Sequence, residues 1–83
     1  MNQKQAMLDT LTLAYDRNYD TVDFDVENVD YTHLKFMFNR AINGDEEFTE
    51  AKLGRWLGYM QGVLVANECI TLDEAKEINR RNQ

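Results

Sequence analysis

The sequence predicts a mainly α fold, a small four-helix domain occupying residues 1–83 as a single unit, and three observations lead there. Apolar residues recur at three- and four-residue spacing in four separate stretches, the period of a helix with one buried face. Residues that start and stop helices bracket those stretches. Strict period-two alternation, the mark of a half-buried strand, is the leading pattern in only one short segment. The predicted helices cover about 4–17, 31–43, 46–66 and 72–81, with an extended acidic segment at 19–29.

The first helix rests on Met7, Leu8, Leu11, Ala14 and Tyr15, which share one face. Thr10 to Tyr15 also alternates with period two, and β-branched threonines suit strands, so an α+β fold with an N-terminal hairpin over 10–26 is the alternative. Asp16 to Tyr19 would close that hairpin. After it, Val22, Phe24 and Val26 alternate with Asp23, Asp25 and Glu27, which predicts an extended arm with its apolar side buried across the helices.

Asp30 is a good N-cap for the second helix, whose Leu34, Met37, Phe38 and Ala41 form the apolar stripe. Asn43-Gly44 is its stop, with Gly44 free to turn left-handed. Phe36 points away from the stripe: it either packs under the extended segment or stands exposed as a partner contact. Asp45-Glu46-Glu47 suits the positive end of a third helix, starting at about 46 or 49 and ending at 66 with Asn67 as left-handed cap. Thr71 and Glu74 form a capping box for the last helix, which turns Leu72, Ala75 and Ile78 inward and places Arg80 and Arg81 at its negative end. Asn67 to Ile70 is a short connection, so the last helix is expected to cover part of the Trp56 face or to lie along the third helix with Ala75.

The third helix has the most unusual spacing. Three of the four glycines, Gly54, Gly58 and Gly62, recur every four residues and lead to Ala66, forming a ridge without side chains. Leu53, Trp56, Leu57, Met60 and Leu64 form a second stripe of large apolar groups. Three interior glycines cost about 3 kcal/mol of helix propensity relative to alanine, so close packing on the ridge is expected to offset the cost. Gly54, Gly58, Gly62 and Trp56 are the candidate helix-packing or dimer seam. Lys52, Arg55 and Gln61 argue against a membrane dimer helix of the G-x-x-x-G type.

Composition excludes several function classes. Fifteen acidic against nine basic residues give a net charge of -6, unfavourable for direct contact with a nucleic-acid backbone but suited to a basic partner surface. One cysteine, Cys69, cannot form an intrachain disulfide, and no His/Cys set could hold zinc. His33 has no nucleophile or second base beside it in sequence, so no catalytic residue is assigned and no enzyme is expected. Asp16, Asn18, Asp20 and Glu27 fit positions of an EF-hand-type calcium loop. Thr21 replaces the glycine of its sharp turn, and Asp23 stands where an apolar residue belongs. Glu46, Glu47 and Glu50 have a spacing open to magnesium, yet no metal or other cofactor is expected. Without an apolar leader or a long apolar run, the chain is expected to be cytoplasmic and to make no membrane contact.

Arg55-Trp56-Leu57-Gly58, Gln61-Gly62-Val63-Leu64, Thr71-Leu72-Asp73-Glu74 and the ending Asn79-Arg80-Arg81 resemble the C-terminal part of small accessory proteins of tailed bacteriophages, from Lys52 onward. Members of that group often carry glycine before the capping box, where this chain has Asn67-Glu68-Cys69. The resemblance carries no site residues. It implies a protein made in the bacterial host cytoplasm that inhibits or modulates host machinery, a class that includes anti-CRISPR and anti-restriction proteins. The expected mode is occupation of a host or phage protein, one with a basic nucleic-acid-binding surface being a candidate. Asp16, Asp20, Asp23, Asp25, Glu27, Asp30 and Phe36 are the candidate contacts. The alternative is a homodimeric structural or assembly protein, joined through the glycine ridge or the edge of residues 22–26.

Overall fold

Each predicted helix forms, and side-chain caps set where it begins. The computed structural model describes residues 1–44 and 47–83 and contains α1 (Gln3–Asp16), α2 (Tyr31–Ile42), α3 (Glu50–Ala66) and α4 (Leu72–Arg81). A single 3-10 turn, Tyr19–Thr21, follows α1. The side chains of Asn2, Asp30 and Thr49 accept the N–H groups of Gln5, His33 and Lys52 at 3.0, 2.8 and 3.1 Å. Thr71 and Glu74 close the predicted box, each accepting the other's backbone N–H at 3.1 and 2.9 Å. Thr49 fixes the start of α3 at Glu50; the earlier start at 46 and the acids Asp45 and Glu46 lie outside the described residues. No strand occurs among the described residues, so the hairpin alternative over 10–26 is excluded.

The helix on which the others pack is α1, in contact with α2, α3 and α4. The Cα atoms extend 32 × 27 × 17 Å, so the thin dimension holds about two layers of helix. Met7, Leu34, Met60 and Leu64 are the largest apolar side chains wholly removed from solvent, drawn from three helices. Ile70, Ala75 and Ile78 add the contribution of α4 and the turn before it.

The buried face of α1 is rotated from the expected one. It consists of Ala6, Met7, Thr10, Leu11 and Ala14, whereas Leu8 is 41% and Tyr15 58% exposed. Ala6, Thr10 and Ala14, four residues apart and all at 0% exposure, are a ladder of small side chains. With three neighbours to accommodate, α1 turns its small residues to the closest approach and its larger ones to the edges. Thr10 is buried without an unpaired hydroxyl: Oγ1 donates to the Ala6 carbonyl at 2.7 Å and accepts from Gln61 Nε2 at 3.2 Å. Gln61 and Asn79 exchange reciprocal amide bonds of 2.9 and 3.1 Å, so one polar chain ties α1, α3 and α4 together.

Five sequence expectations are corrected here. Among the described residues nothing packs closely on the glycine ridge: a Cβ on Gly58 or Gly62 would meet nothing within 4 Å, and one on Gly54 only the Gln3 amide, at 3.6 Å. The reason is that α4 packs on α1 instead of along that ridge. Trp56 does not share the ridge either, since two residues along a helix rotate by about 200° and bring Trp56 to the opposite flank from Gly58. Leu72, expected inside, is 58% exposed at the first turn of α4. Finally, the left-handed residue after α3 is Glu68 (φ 61), not Asn67 (φ -91), and among the described residues no glycine takes the positive φ expected of a helix stop. Asn67 stays near helical because its amide is engaged, donating to the Val63 carbonyl at 2.9 Å and to Tyr19 Oη at 3.4 Å. Glu68 then takes the turn, its N–H reaching Val65 O at 3.0 Å while that of Cys69 reaches Leu64 O at 2.9 Å, the paired bonds of a Schellman end.

Candidate protein-interaction surface

The acidic segment is a loop held by two tyrosines. Asn18 (φ 62) ends α1 in the left-handed region and the 3-10 turn buries Tyr19, whose Oη donates to the Val29 carbonyl at 2.6 Å. Burial raises the Tyr19 pKa, which keeps the hydroxyl protonated as that donor. Tyr59, on α3, donates from its Oη to the Asn28 carbonyl at 2.6 Å. Of the three alternating apolar residues Phe24 packs against the core, its ring 5.2 Å from that of Tyr19. Val22 and Val26 are 46% and 66% exposed, correcting the expected buried edge. With no neighbouring strand to pair against, the alternation has nothing to hold both valines inward.

The predicted carboxylates separate into three groups. Asp16 faces the groove between α1 and α4, beside Asp9, Glu74 and Glu77. Asp30 is engaged as the α2 cap, accepting the His33 N–H. Asp20, Asp23, Asp25 and Glu27 remain exposed on the loop. Among the described residues no three His, Cys, Asp or Glu side chains are grouped so as to hold a metal ion. Glu50, from the magnesium pattern, accepts from Gln3 Nε2 at 3.3 Å.

Phe36 leads to a surface that the acidic pattern alone does not define. It is 55% exposed and, with His33, Met37, Arg40, Trp56 and Tyr59, lines a groove of about 400 Å³ between α2 and α3. The two helices run in opposite directions there, since Trp56 meets Arg40 in the last turn of α2 and Tyr59 meets His33 in the first. The His33 ring lies 6.4 Å from both Phe36 and Tyr59. The Arg40 guanidinium stands 5.9 Å from the Phe36 ring and 5.7 Å from Trp56. Behind it Phe48 meets Trp56 edge-to-face at 4.8 Å, with the Lys52 ammonium 4.3 Å from the Phe48 ring. Tyr59 is itself 41% exposed. Exposed aromatic rings grouped with arginine have the composition of binding surfaces rather than of ordinary solvated helix faces.

Asn28 also borders this groove, so the Tyr59–Asn28 bond joins the acidic loop to the aromatic walls in one continuous surface. The acids next to Asn28 on the loop and Asp30, bonded to the His33 N–H, therefore border the same surface as Phe36, while Asp16, in the α1–α4 groove, does not. Sequence reasoning found Phe36 and missed Tyr59, His33 and Arg40. The signal was present as four-residue pairs, Phe36 with Arg40 and Arg55 with Tyr59, but spacing does not say which helix faces which.

The α1–α4 side of the molecule is occupied by internal bonds. Arg17 forms a two-pronged pair with Glu74 and donates to the Cys69 carbonyl at 2.9 Å. Arg17, then the Thr71 backbone bond, holds the Glu74 carboxyl at a pKa of about 2. Asn82, with Gln5 and Arg81, lowers the Asp9 pKa against the opposing effect of burial. No helix among the described residues is long and apolar enough to cross a membrane. No family model, curated protein or solved structure matches this chain.

Proposed function

We propose that the chain is a protein-binding module that acts by occupying a partner protein, and that it performs no catalysis. One observation carries this reading: the exposed Phe36–Tyr59 groove is bonded to the acidic loop, so an apolar anchor site and a charged rim lie on one surface. The resemblance of residues 52–83 to phage accessory proteins sets the context as a bacterial host cytoplasm. There the module inhibits or modulates host machinery, in the anti-defence class that includes anti-CRISPR and anti-restriction proteins. Affinity purification from bacterial lysate with mass spectrometry, at low and physiological salt, tests it. A specific partner is expected with the native chain and not with Phe36→Ala. Equal recovery by both removes the groove from the function, and no specific partner at either salt removes the module reading.

A homodimeric assembly protein is a second reading, favoured by the uncovered α3 ridge, where the propensity cost of Gly58 and Gly62 has no compensating contact among the described residues. Sedimentation separates the two. A dimer that Gly58→Leu converts to a monomer supports the assembly reading, and a monomer at high micromolar concentration removes it.

A further inference from the structure

We infer that the occupant of the α2–α3 groove is a basic protein segment carrying one large apolar side chain. This rests on the protein-binding reading and specifies the partner's chemistry. The groove, about 400 Å³, is near the small end of binding pockets and suits one inserted side chain rather than a whole helix. Its walls are the exposed rings of Phe36 and Tyr59 with His33 beside them, and Met37 lies between, so the inserted group is apolar.

Charge then selects what flanks that group. Along α2 the groove runs from Asn28, before the first turn, to Arg40 in the last turn, where the guanidinium already stands over Phe36 and Trp56. The accessible aromatic end is therefore the Tyr59–His33 end, and Tyr59 ties it to the loop carrying Asp23, Asp25 and Glu27. No lysine or arginine occurs between Asn18 and Leu34 to neutralise these carboxylates from within the segment. A segment whose anchor enters beside Tyr59 extends along this rim, where cationic side chains meet complementary charge and acidic ones are repelled. Val22 and Val26, exposed between the acids, offer apolar surface for the stems of lysine and arginine side chains. A nucleic-acid strand would bring phosphates to the same carboxylates.

Trp56, the single tryptophan, lines the groove and reports its occupation by fluorescence. The probes are tryptophan-free synthetic peptides: one rich in lysine and arginine with a central phenylalanine, the same peptide with alanine at the centre, and an acidic counterpart retaining the phenylalanine. A single-stranded oligonucleotide is the fourth probe. The basic phenylalanine peptide is expected to shift Trp56 emission saturably and to bind more weakly as salt rises. Affinity should fall about tenfold or more for the alanine peptide, for Phe36→Ala, and for the loop variant Asp23→Asn/Asp25→Asn/Glu27→Gln. Circular dichroism of both protein variants keeps loss of binding distinct from loss of fold. Equal or tighter binding of the acidic peptide or the oligonucleotide overturns the inference, as does the absence of a saturable shift with the basic one. If the basic peptide fails while Phe36→Ala still abolishes partner capture from lysate, the partner chemistry is wrong and the module reading survives. If capture is indifferent to Phe36, it is the module reading that falls.

Discussion

Two ladders of small residues, each with a four-residue step, run along helices of this chain, and only one is buried. Ala6, Thr10 and Ala14 on α1 are at 0% exposure, whereas Gly54, Gly58 and Gly62 on α3 all face outward. In sequence the α3 ladder is the more conspicuous, because glycine is rare inside helices and costs stability there. What separates the two is the company each keeps. On α1 the small residues alternate with Met7 and Leu11 on the same face, so close approach and burial coincide. On α3 the large residues Leu53, Leu57, Met60 and Leu64 occupy the inward face, and the glycines lie round the helix from them. A helix with one neighbouring layer buries one face, and large apolar area decides which.

Substitutions along the two ladders test that difference. The largest effect is expected from Ala14→Leu, which adds volume to a filled site and should lower unfolding free energy by about 1–3 kcal/mol in denaturant titration. Unchanged stability would mean that α1 is not close-packed at its centre. Next, Glu68→Gly relieves a left-handed residue at the end of α3 and should raise stability by about 1 kcal/mol, read as a higher denaturation midpoint with the same slope. Gly58→Ala, where added atoms meet open space, should also raise it, by somewhat under or about 1 kcal/mol. A loss there would show the α3 ladder to be covered in solution and would erase the contrast.

The clamp on the α1 side gives a pH test. Glu74 is held at about 2 in the folded protein against its ordinary 4.5, so its contribution is whole above about 4.5 and disappears as pH falls toward 2. Glu74→Gln should flatten the dependence of the melting midpoint across that window, a change of slope smaller than the effects above. An unaltered acid profile would show that the Arg17–Glu74 pair does not clamp α4 to α1.

The interaction surface divides along the same line. Phe36 was legible because it departs from the Leu34–Met37–Ala41 stripe of its own helix, a strictly local conflict. The alternation of Val22, Phe24 and Val26 misled, because period two describes a strand only when another strand pairs with it. Here hydrogen bonds from Tyr19 and Tyr59 determine the loop's course instead. Tyr59, His33 and Arg40 carry no local mark that joins them to Phe36. They are assembled by the antiparallel packing of α2 on α3.

By itself, the sequence determined the four helices, the Asp30 start of α2, the capping box of α4 and the large apolar residues of α2 and α3. All of these depend on neighbours within about one helical turn, where covalent connectivity fixes the geometry. Tertiary structure decided which face of α1 is buried, that α4 lies on α1, that Gln61 joins Thr10 and Asn79 inside, and that the glycines of α3 remain uncovered. Those outcomes depend on competition among faces for the same limited interior, and one helix read at a time contains no term for its rivals.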